Sequence, residues 1–154
     1  MRSAWTWIIP GLIAAAGSAL LAAPVAAQAQ AVSVHVVQVR ASNEGGEFVD
    51  PLLAGLGERL KRQYPGYRNY RRVGSDTQAG AVGEALRYNL FGDRSLTLTL
   101  VAVEGEQVSL RVEVVRGRET ILNTSLKVRK SGTFLIAVPS GGDKLILAIT
   151  PTLK

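Results

Sequence analysis

Residues 96–128 read LTLTLVAVEGEQVSLRVEVVRGRETILNTSLKV, and most of the predicted sheet follows from their pattern. Apolar and polar residues alternate through it in three runs, so each run predicts a strand with one face on a core and one face in water. Turn dipeptides separate the runs at Glu104-Gly105 and Arg116-Gly117. Short glycine turns between alternating runs are typical of hairpins, so the stretch predicts an antiparallel meander.

Further strands are predicted on both sides of this meander. Residues 32–41, VSVHVVQVRA, are rich in β-branched residues, and residues 86–90 alternate before a turn at Gly92-Asp93. Toward the carboxyl end, TFLIAV (133–138) and LILAIT (145–150) are apolar at both odd and even positions. That pattern favours central strands that are covered on both faces.

One helix is predicted after the first strand. Asp50 suits the N-cap, Pro51 suits the first helical position, and Pro65-Gly66 ends the segment. Gly55 and Gly57 weaken this helix by about 1 kcal/mol each relative to alanine. The helix has an apolar stripe that must cover another element. The stripe consists of Val49, Leu53, Leu56, Leu60 and Tyr64.

These elements predict an α+β fold. A strand-helix start leads into YRNYRRV (67–73), which we interpret as a strand, and then into GSDTQAGAVG (74–83), which we interpret as a loop. The curved antiparallel β-meander follows, with the single helix packed on the sheet.

The first 31 residues predict a secretory signal peptide. A short basic start is followed by a long apolar run and an Ala-rich exit, and no charged residue lies between Arg2 and Arg40. Two A-x-A sites allow cleavage after Ala29 or after Ala31. The alternative is an uncleaved membrane anchor, because the apolar stretch is long enough to span a bilayer. Residues 32–154 then form a single α+β domain, exported to the periplasm or to the extracellular space.

Composition limits the chemistry of this domain. There is no cysteine, so there is no disulfide and no thiolate nucleophile or metal ligand. His35 is the only histidine, and it lies in a valine-rich strand, which favours a structural role. No nucleotide-binding, zinc-protease or serine-hydrolase motif occurs, so we expect no cofactor and no metal. The formal net charge is +6, which favours acidic partners.

The stretch YPGYRNYRRV (64–73) is the first candidate binding site. Tyrosines interleaved with arginines suit stacking and the binding of anions. The alternative is an exposed edge strand whose charges discourage aggregation. Because export and a modest charge disfavour nucleic acid, the expected partner is an acidic envelope polymer, a lipid head group or a protein. The candidate residues are Tyr67, Arg68, Tyr70, Arg71 and Arg72.

The loop SNEGGEFVD (42–50) is the second candidate site. Asn43, Glu44 and Glu47 could offer oxygens to a hard cation, but their spacing is not that of a calcium loop. Carboxylates in such a loop could also do acid-base chemistry, although the sequence offers no second, distinct catalytic group.

The chain also resembles known proteins in parts. Residues 128–151, VRKSGTFLIAVPSGGDKLILAITP, resemble the Gly-Thr-centred strand pairs of outer-membrane secretin domains. The resemblance covers 24 residues of a chain much shorter than a secretin pore domain, so it implies a strand pair here and no secretin function. The overall layout resembles small exported bacterial proteins with no assigned activity, which implies a context and no mechanism.

The sequence therefore predicts an exported, non-enzymatic envelope module. Such a module would bind or assemble through the tyrosine-arginine stretch, or by pairing an exposed strand with a partner. The alternative is a small periplasmic enzyme, hydrolase-like, that uses the acidic loop 42–50. Homo-oligomerisation through the apolar carboxyl-terminal strands is a further alternative.

Overall fold

A computed structural model describes residues 31–140 and 142–153. The predicted signal peptide lies outside these residues, except for Ala31. None of the helices within the described ranges is both long enough and apolar enough to cross a membrane.

The described residues form nine strands, a one-turn 3₁₀ helix and one short α-helix. The helical segments are the 3₁₀ helix Pro51–Leu53 and α1, Gly57–Gln63. The strands are β1 (Val32–Ser42), β2 (Phe48–Val49), β3 (Asn69–Gly80), β4 (Ala85–Leu90), β5 (Arg94–Glu104), β6 (Gln107–Arg116), β7 (Glu119–Arg129), β8 (Phe134–Ser140) and β9 (Asp143–Leu153).

The predicted α+β meander is wrong, because the strands form two sheets and the chain is mostly β. Strands account for 66% of the described residues and helices for 8%. One sheet has five strands in the order β2-β3-β1-β9-β8, and the other has four in the order β4-β5-β6-β7. Residues 96–128 form three strands of the four-stranded sheet, β5, β6 and β7. The first and last long strands, β1 and β9, pair with each other in the five-stranded sheet and do not extend the four-stranded sheet.

The two sheets enclose the main hydrophobic core. Side chains at alternate positions of β5 and β6 point into it, and so do Val32, Val34 and Val36 of β1. Tyr88 lies in this core, where its hydroxyl donates a hydrogen bond to the carbonyl oxygen of Val34 at 2.8 Å. The alternation along β5 and β6 thus marks the one face that the opposite sheet covers.

A second core covers the other face of the five-stranded sheet. Val39 of β1 and Ile146 of β9 point away from the main core and pack with Leu53, Leu60 and other apolar residues of the helical segments. This second layer explains why β9 is apolar at both odd and even positions, as its two faces lie against different cores.

The loop predicted for residues 74–83 is also wrong in its first part, because β3 runs on to Gly80. The long strand β1 supplies an antiparallel partner as far as Val32, which lies opposite Gly80. A bulge falls where Gln38 and Val39 face Gly74 and Arg72. Pairing with β1 therefore overrides the turn-forming composition of this segment.

The predicted continuous helix is interrupted. Gly55 has φ +87°, a left-handed conformation that only glycine adopts readily, and it separates the 3₁₀ helix from α1. Gly57, the first residue of α1, is close to β2, since a Cβ atom there would lie 3.0 Å from Cγ1 of Val49. Gly55 thus interrupts the helix with a tight turn, and Gly57 allows α1 to lie close to β2.

Asp50 fastens this turn to the sheet with both carboxylate oxygens. Oδ1 accepts a hydrogen bond from the amide of Leu52 at 2.9 Å, as expected for a helix cap. Oδ2 accepts from the amide of Arg72 in β3 at 3.2 Å.

We expect Asp50→Ala to lower the free energy of unfolding by about 1–2 kcal/mol, because a cap and a sheet contact are lost together. Asp50→Asn keeps one acceptor oxygen and should fall between the wild type and the alanine variant. Urea unfolding measures the change, and hydrogen exchange should speed up at the amides of Leu52 and Arg72. Glu106→Ala, in an exposed turn, is the control. Equal effects of Asp50→Ala and Glu106→Ala would contradict the proposed role.

Gln38 joins the two sheets at one end of the main core. It is only 6% exposed. Its Nε2 donates to the carbonyl oxygen of Asn89 at 2.9 Å, and its Oε1 accepts from the amide of Phe91 at 2.8 Å. The side-chain amide thus forms the pair of hydrogen bonds that a backbone peptide group of a neighbouring strand would form with the end of β4.

Candidate binding site at the rim of the five-stranded sheet

The two candidate sites predicted from the sequence lie side by side in the fold. β2 pairs in parallel with the start of β3, and the amide of Phe48 donates to the carbonyl oxygen of Arg68 at 3.0 Å. The amide of Arg68 donates in turn to the carbonyl oxygen of Ser42 at 3.1 Å and to Oδ1 of Asn43 at 3.0 Å. The side chain of Asn69 donates to the carbonyl oxygen of Glu44. We call this region, residues 40–48 and 64–72, the basic rim.

A first cleft lies on the helical side of the rim and has a volume of about 280 Å³. Three residues of the predicted tyrosine-arginine site, Tyr67, Arg68 and Tyr70, line it together with Glu47 of the loop. Lys61 of α1 adds a second cation. The full lining is Glu47, Val49, Lys61, Pro65, Gly66, Tyr67, Arg68 and Tyr70.

Tyr70 is a core residue at the base of this cleft. It is 2% exposed, and its hydroxyl donates to the carbonyl oxygen of Tyr64 at 2.7 Å. Burial raises the pKa of Tyr70, and the neighbouring Tyr67 adds to the rise. Burial also raises the pKa of Tyr64. Both hydroxyls therefore stay protonated near neutral pH, and that of Tyr70 serves as a hydrogen-bond donor.

Lys144 of β9 lies next to the two other tyrosines. Its Nζ is 5.9 Å from the ring centroid of Tyr64 and 5.9 Å from that of Tyr67. A cation at that distance from a ring face is weakly attracted to it. The tyrosines of the stretch thus hold a lysine at the rim as well as shaping the cleft.

A second cleft, of about 390 Å³, lies on the side of the rim that faces the four-stranded sheet. It is lined by Arg40, Ser42, Glu44, Gly45 and Arg71. Arg40 and Arg71 are directly opposite each other in the β1–β3 ladder, so their side chains share one face. The predicted arginines are therefore divided between the two faces of the sheet.

Arg40 is neutralised within the chain. Its Nε and Nη2 both donate to Oδ2 of Asp143, at 2.9 and 2.5 Å, and Oε2 of Glu44 lies 4.0 Å from Nη2. The hydrogen bond to Asp143 and the charge of that carboxylate raise the pKa of Arg40. Phe91 lies under the same guanidinium, with 5.8 Å from Cζ to the ring centroid.

The remaining predicted residues lie on the surface of the rim. Arg68 and Arg72 are exposed, and Nη2 of Arg72 donates to Oγ of Ser75 at 2.7 Å. Asn43, Glu44 and Glu47 are exposed too, but only Asn43 uses its side chain to hold the backbone.

In the described part of the chain no cluster of three or more His, Asp or Glu residues is placed to hold a metal ion. His35 is exposed on β1, and its Nδ1 lies 2.6 Å from Oγ1 of Thr77.

Sequence reasoning missed two residues of the rim, Arg40 and Phe48, and two residues that contact it, Lys61 and Asp143. Arg40 carried a detectable signal, since it is a charged residue at the end of an otherwise apolar strand. Asp143 carried none, because it is separated from Arg40 by 103 residues and only the β1–β9 pairing brings them together.

No protein-family model matches the chain, and no curated protein matches it. Two solved structures with a weakly similar fold are secretins. The type II secretion system secretin GspD of E. coli K12 has a TM-score of 0.40 and 12% identity, covering 81% of this chain and 49% of that chain. Aeromonas hydrophila ExeD has a TM-score of 0.40 and 13% identity, covering 81% of this chain and 48% of that chain. This chain therefore spans about half the length of the secretin chains it is aligned with.

Proposed function

We propose that the protein is an exported, non-enzymatic envelope module that binds an anionic partner through the basic rim. The observation that carries the proposal is the convergence of cations on one end of the five-stranded sheet. Three parts of the chain bring them there: residues 40–48, residues 61–72 and Lys144 of β9. The cations are Arg40, Lys61, Arg68, Arg71, Arg72 and Lys144.

Export is part of the proposal and rests on the sequence alone. A basic start, an apolar run and two A-x-A sites in the first 31 residues support signal cleavage after Ala29 or Ala31. The partner at the rim is an acidic envelope polymer, a lipid head group or an acidic protein surface, since each of these would meet the arginines with negative charge.

The proposal is tested by removing three exposed charges from the rim. We expect the variant Arg68→Gln, Arg71→Gln, Arg72→Gln to bind an anionic surface about tenfold more weakly, as each exposed pair contributes about 0.5 kcal/mol. Retention of the purified chain on heparin, on phosphatidylglycerol vesicles and on envelope fractions, across a salt series, measures the change.

A matched control removes the same charge elsewhere. Arg111, Lys127 and Arg129 are exposed on the outer face of the four-stranded sheet, so changing all three to glutamine lowers the net charge equally. The proposal requires the control to bind more tightly than the rim variant. If both variants lose binding equally, net charge alone explains retention, and the rim is no specific site.

A further inference from the structure

We infer that the cleft between Arg40 and Arg71 is a carboxylate-binding site for an acidic residue of a partner protein, with Arg71 as the residue that binds it. The inference deepens the proposed function and rests on it, because it names one site and one ligand chemistry within the basic rim.

The first observation is an unbalanced pair of like charges. Arg40 and Arg71 face each other across antiparallel strands, a position in which like charges destabilise the pair. Asp143 compensates for Arg40. Among the described residues, no acidic group lies within 4.0 Å of the guanidinium of Arg71, which lies beside the cleft.

The second observation is that Arg71 is held in place. Its Cζ lies 4.6 Å from the ring centroid of Phe48. A guanidinium stacked on a ring uses its face for that contact and keeps the N–H groups along its edge for an acceptor. The ring thus orients the guanidinium before any ligand binds, and this lowers the entropy lost on binding.

The charges around the cleft favour a carboxylate over a phosphate. Arg40, Arg71, Glu44 and Asp143 together sum to zero, so a doubly charged phosphate would bring excess negative charge next to two carboxylates. A carboxylate adds one charge, and its planar fork matches a guanidinium edge. The Arg40–Asp143 pair already shows one carboxylate bound at this end of the sheet.

Apolar contacts favour a protein as the source of that carboxylate. Phe48 and Phe91 flank the arginines and remain 38% and 46% exposed. A partner segment in which an acidic residue lies beside apolar residues would cover these rings while its carboxylate meets Arg71. An isolated carboxylate or a sugar acid would leave them exposed to water.

The experiment uses the full chain and a synthetic peptide, acetyl-Leu-Glu-Leu-Glu-Leu-amide, with its glutamine counterpart as the control ligand. NMR titration monitors the Nε–H signals of Arg40 and Arg71. We expect the glutamate peptide to shift the Arg71 signal and the glutamine peptide to leave it unchanged. Arg71→Lys should weaken binding about tenfold, because the point charge stays while the planar fork is lost. Arg111→Lys, the same change on the outer face of the four-stranded sheet, should bind as the wild type does.

Each other outcome overturns the inference. Equal binding by Arg71→Lys and the wild type would mean that charge alone matters. A shift caused by inorganic phosphate or by phosphatidylglycerol vesicles, with none caused by the glutamate peptide, would identify a phosphate site instead. A peptide that shifts no arginine signal would show that no carboxylate site exists. Arg71→Lys keeps its charge, so its retention on heparin tests the proposed function separately.

Discussion

Gln38→Leu should lower the free energy of unfolding by about 2–3 kcal/mol, although leucine is similar in size and apolar. The reason is that the amide of Gln38 closes two hydrogen bonds to the end of β4, at 2.8 and 2.9 Å, from an almost fully buried position. Leucine would leave the carbonyl oxygen of Asn89 and the amide of Phe91 without these partners, at a cost of about 1 kcal/mol or more each. Chemical denaturation measures the loss.

Gln38→Glu tests the contribution of the hydrogen bonds to stability, because it changes them while the side chain keeps its size and shape. An ionised glutamate can still accept from the amide of Phe91 but sets a negative oxygen against the carbonyl of Asn89, whereas a protonated glutamate can donate to that carbonyl. We therefore expect this variant to gain stability relative to the wild type as the pH falls from 7 to 4. Gln107→Leu, at an exposed strand position, is the control and should change stability by less than about 0.5 kcal/mol. If Gln38→Leu is as stable as that control, Gln38 does not join the sheets.

Raising the pH above 10 should destabilise the protein by up to about 1.4 kcal/mol per pH unit through the buried Tyr88. Burial raises the pKa of Tyr88 well above its ordinary value, and the nearby Asp76 adds to the rise. Below pH 10 the hydroxyl is protonated in both the folded and the unfolded chain, so its contribution to stability is complete. Above pH 10 the unfolded chain loses this proton and the folded chain keeps it, so Tyr88 alone should account for about 2–3 kcal/mol between pH 10 and 12.

Tyr88→Phe tests the sign and size of this effect. Removal of the hydroxyl loses the hydrogen bond to Val34, so the variant should be about 1 kcal/mol less stable at pH 7. Its stability should then fall less steeply with pH than that of the wild type, and the two curves should cross between pH 10 and 12. Parallel curves between pH 10 and 12 would show that Tyr88 ionises equally in both states. Tyrosinate absorbance of the folded chain provides an independent reading of the same ionisation.

The strands were largely predictable because burial on one face leaves a period of two in the sequence. This is why residues 96–128 gave the positions of β5, β6 and β7, with turns at their glycines. The division into two sheets was not predictable, since alternation shows which face is buried and not which element covers it. The apolar run of β9 indicated that both faces are covered, but it could not show that a second sheet covers one of them.

The end of β3 and the helix show where local signals fail. Gly74 and its neighbours look like a loop, yet β1 supplies the hydrogen bonds that keep them extended. The apolar stripe of the predicted helix does mark residues that are buried, since Leu53 and Leu60 are both in the core. The left-handed Gly55 between them breaks the helix that the stripe suggested.

The sequence showed which two segments form the candidate site, but it did not show how they lie relative to each other. The stretch 64–73 could be found from its composition, and the loop 42–50 from its acids and glycines. That they adjoin follows from the parallel β2–β3 pairing, which involves only two residues of β2 and leaves no pattern in the sequence. The burial of Tyr70 between exposed arginines likewise depends on the helical layer above it.

The basic rim is tested most directly by an amide chemical-shift map of the full chain titrated with a short heparin oligosaccharide. If the basic rim is one binding region, residues 40–48 and 64–72 should shift together and with the same affinity. The outer face of β5, β6 and β7 should stay unchanged. Shifts that spread over that outer face, or that affect only one of the two rim segments, would contradict a single binding region at the rim.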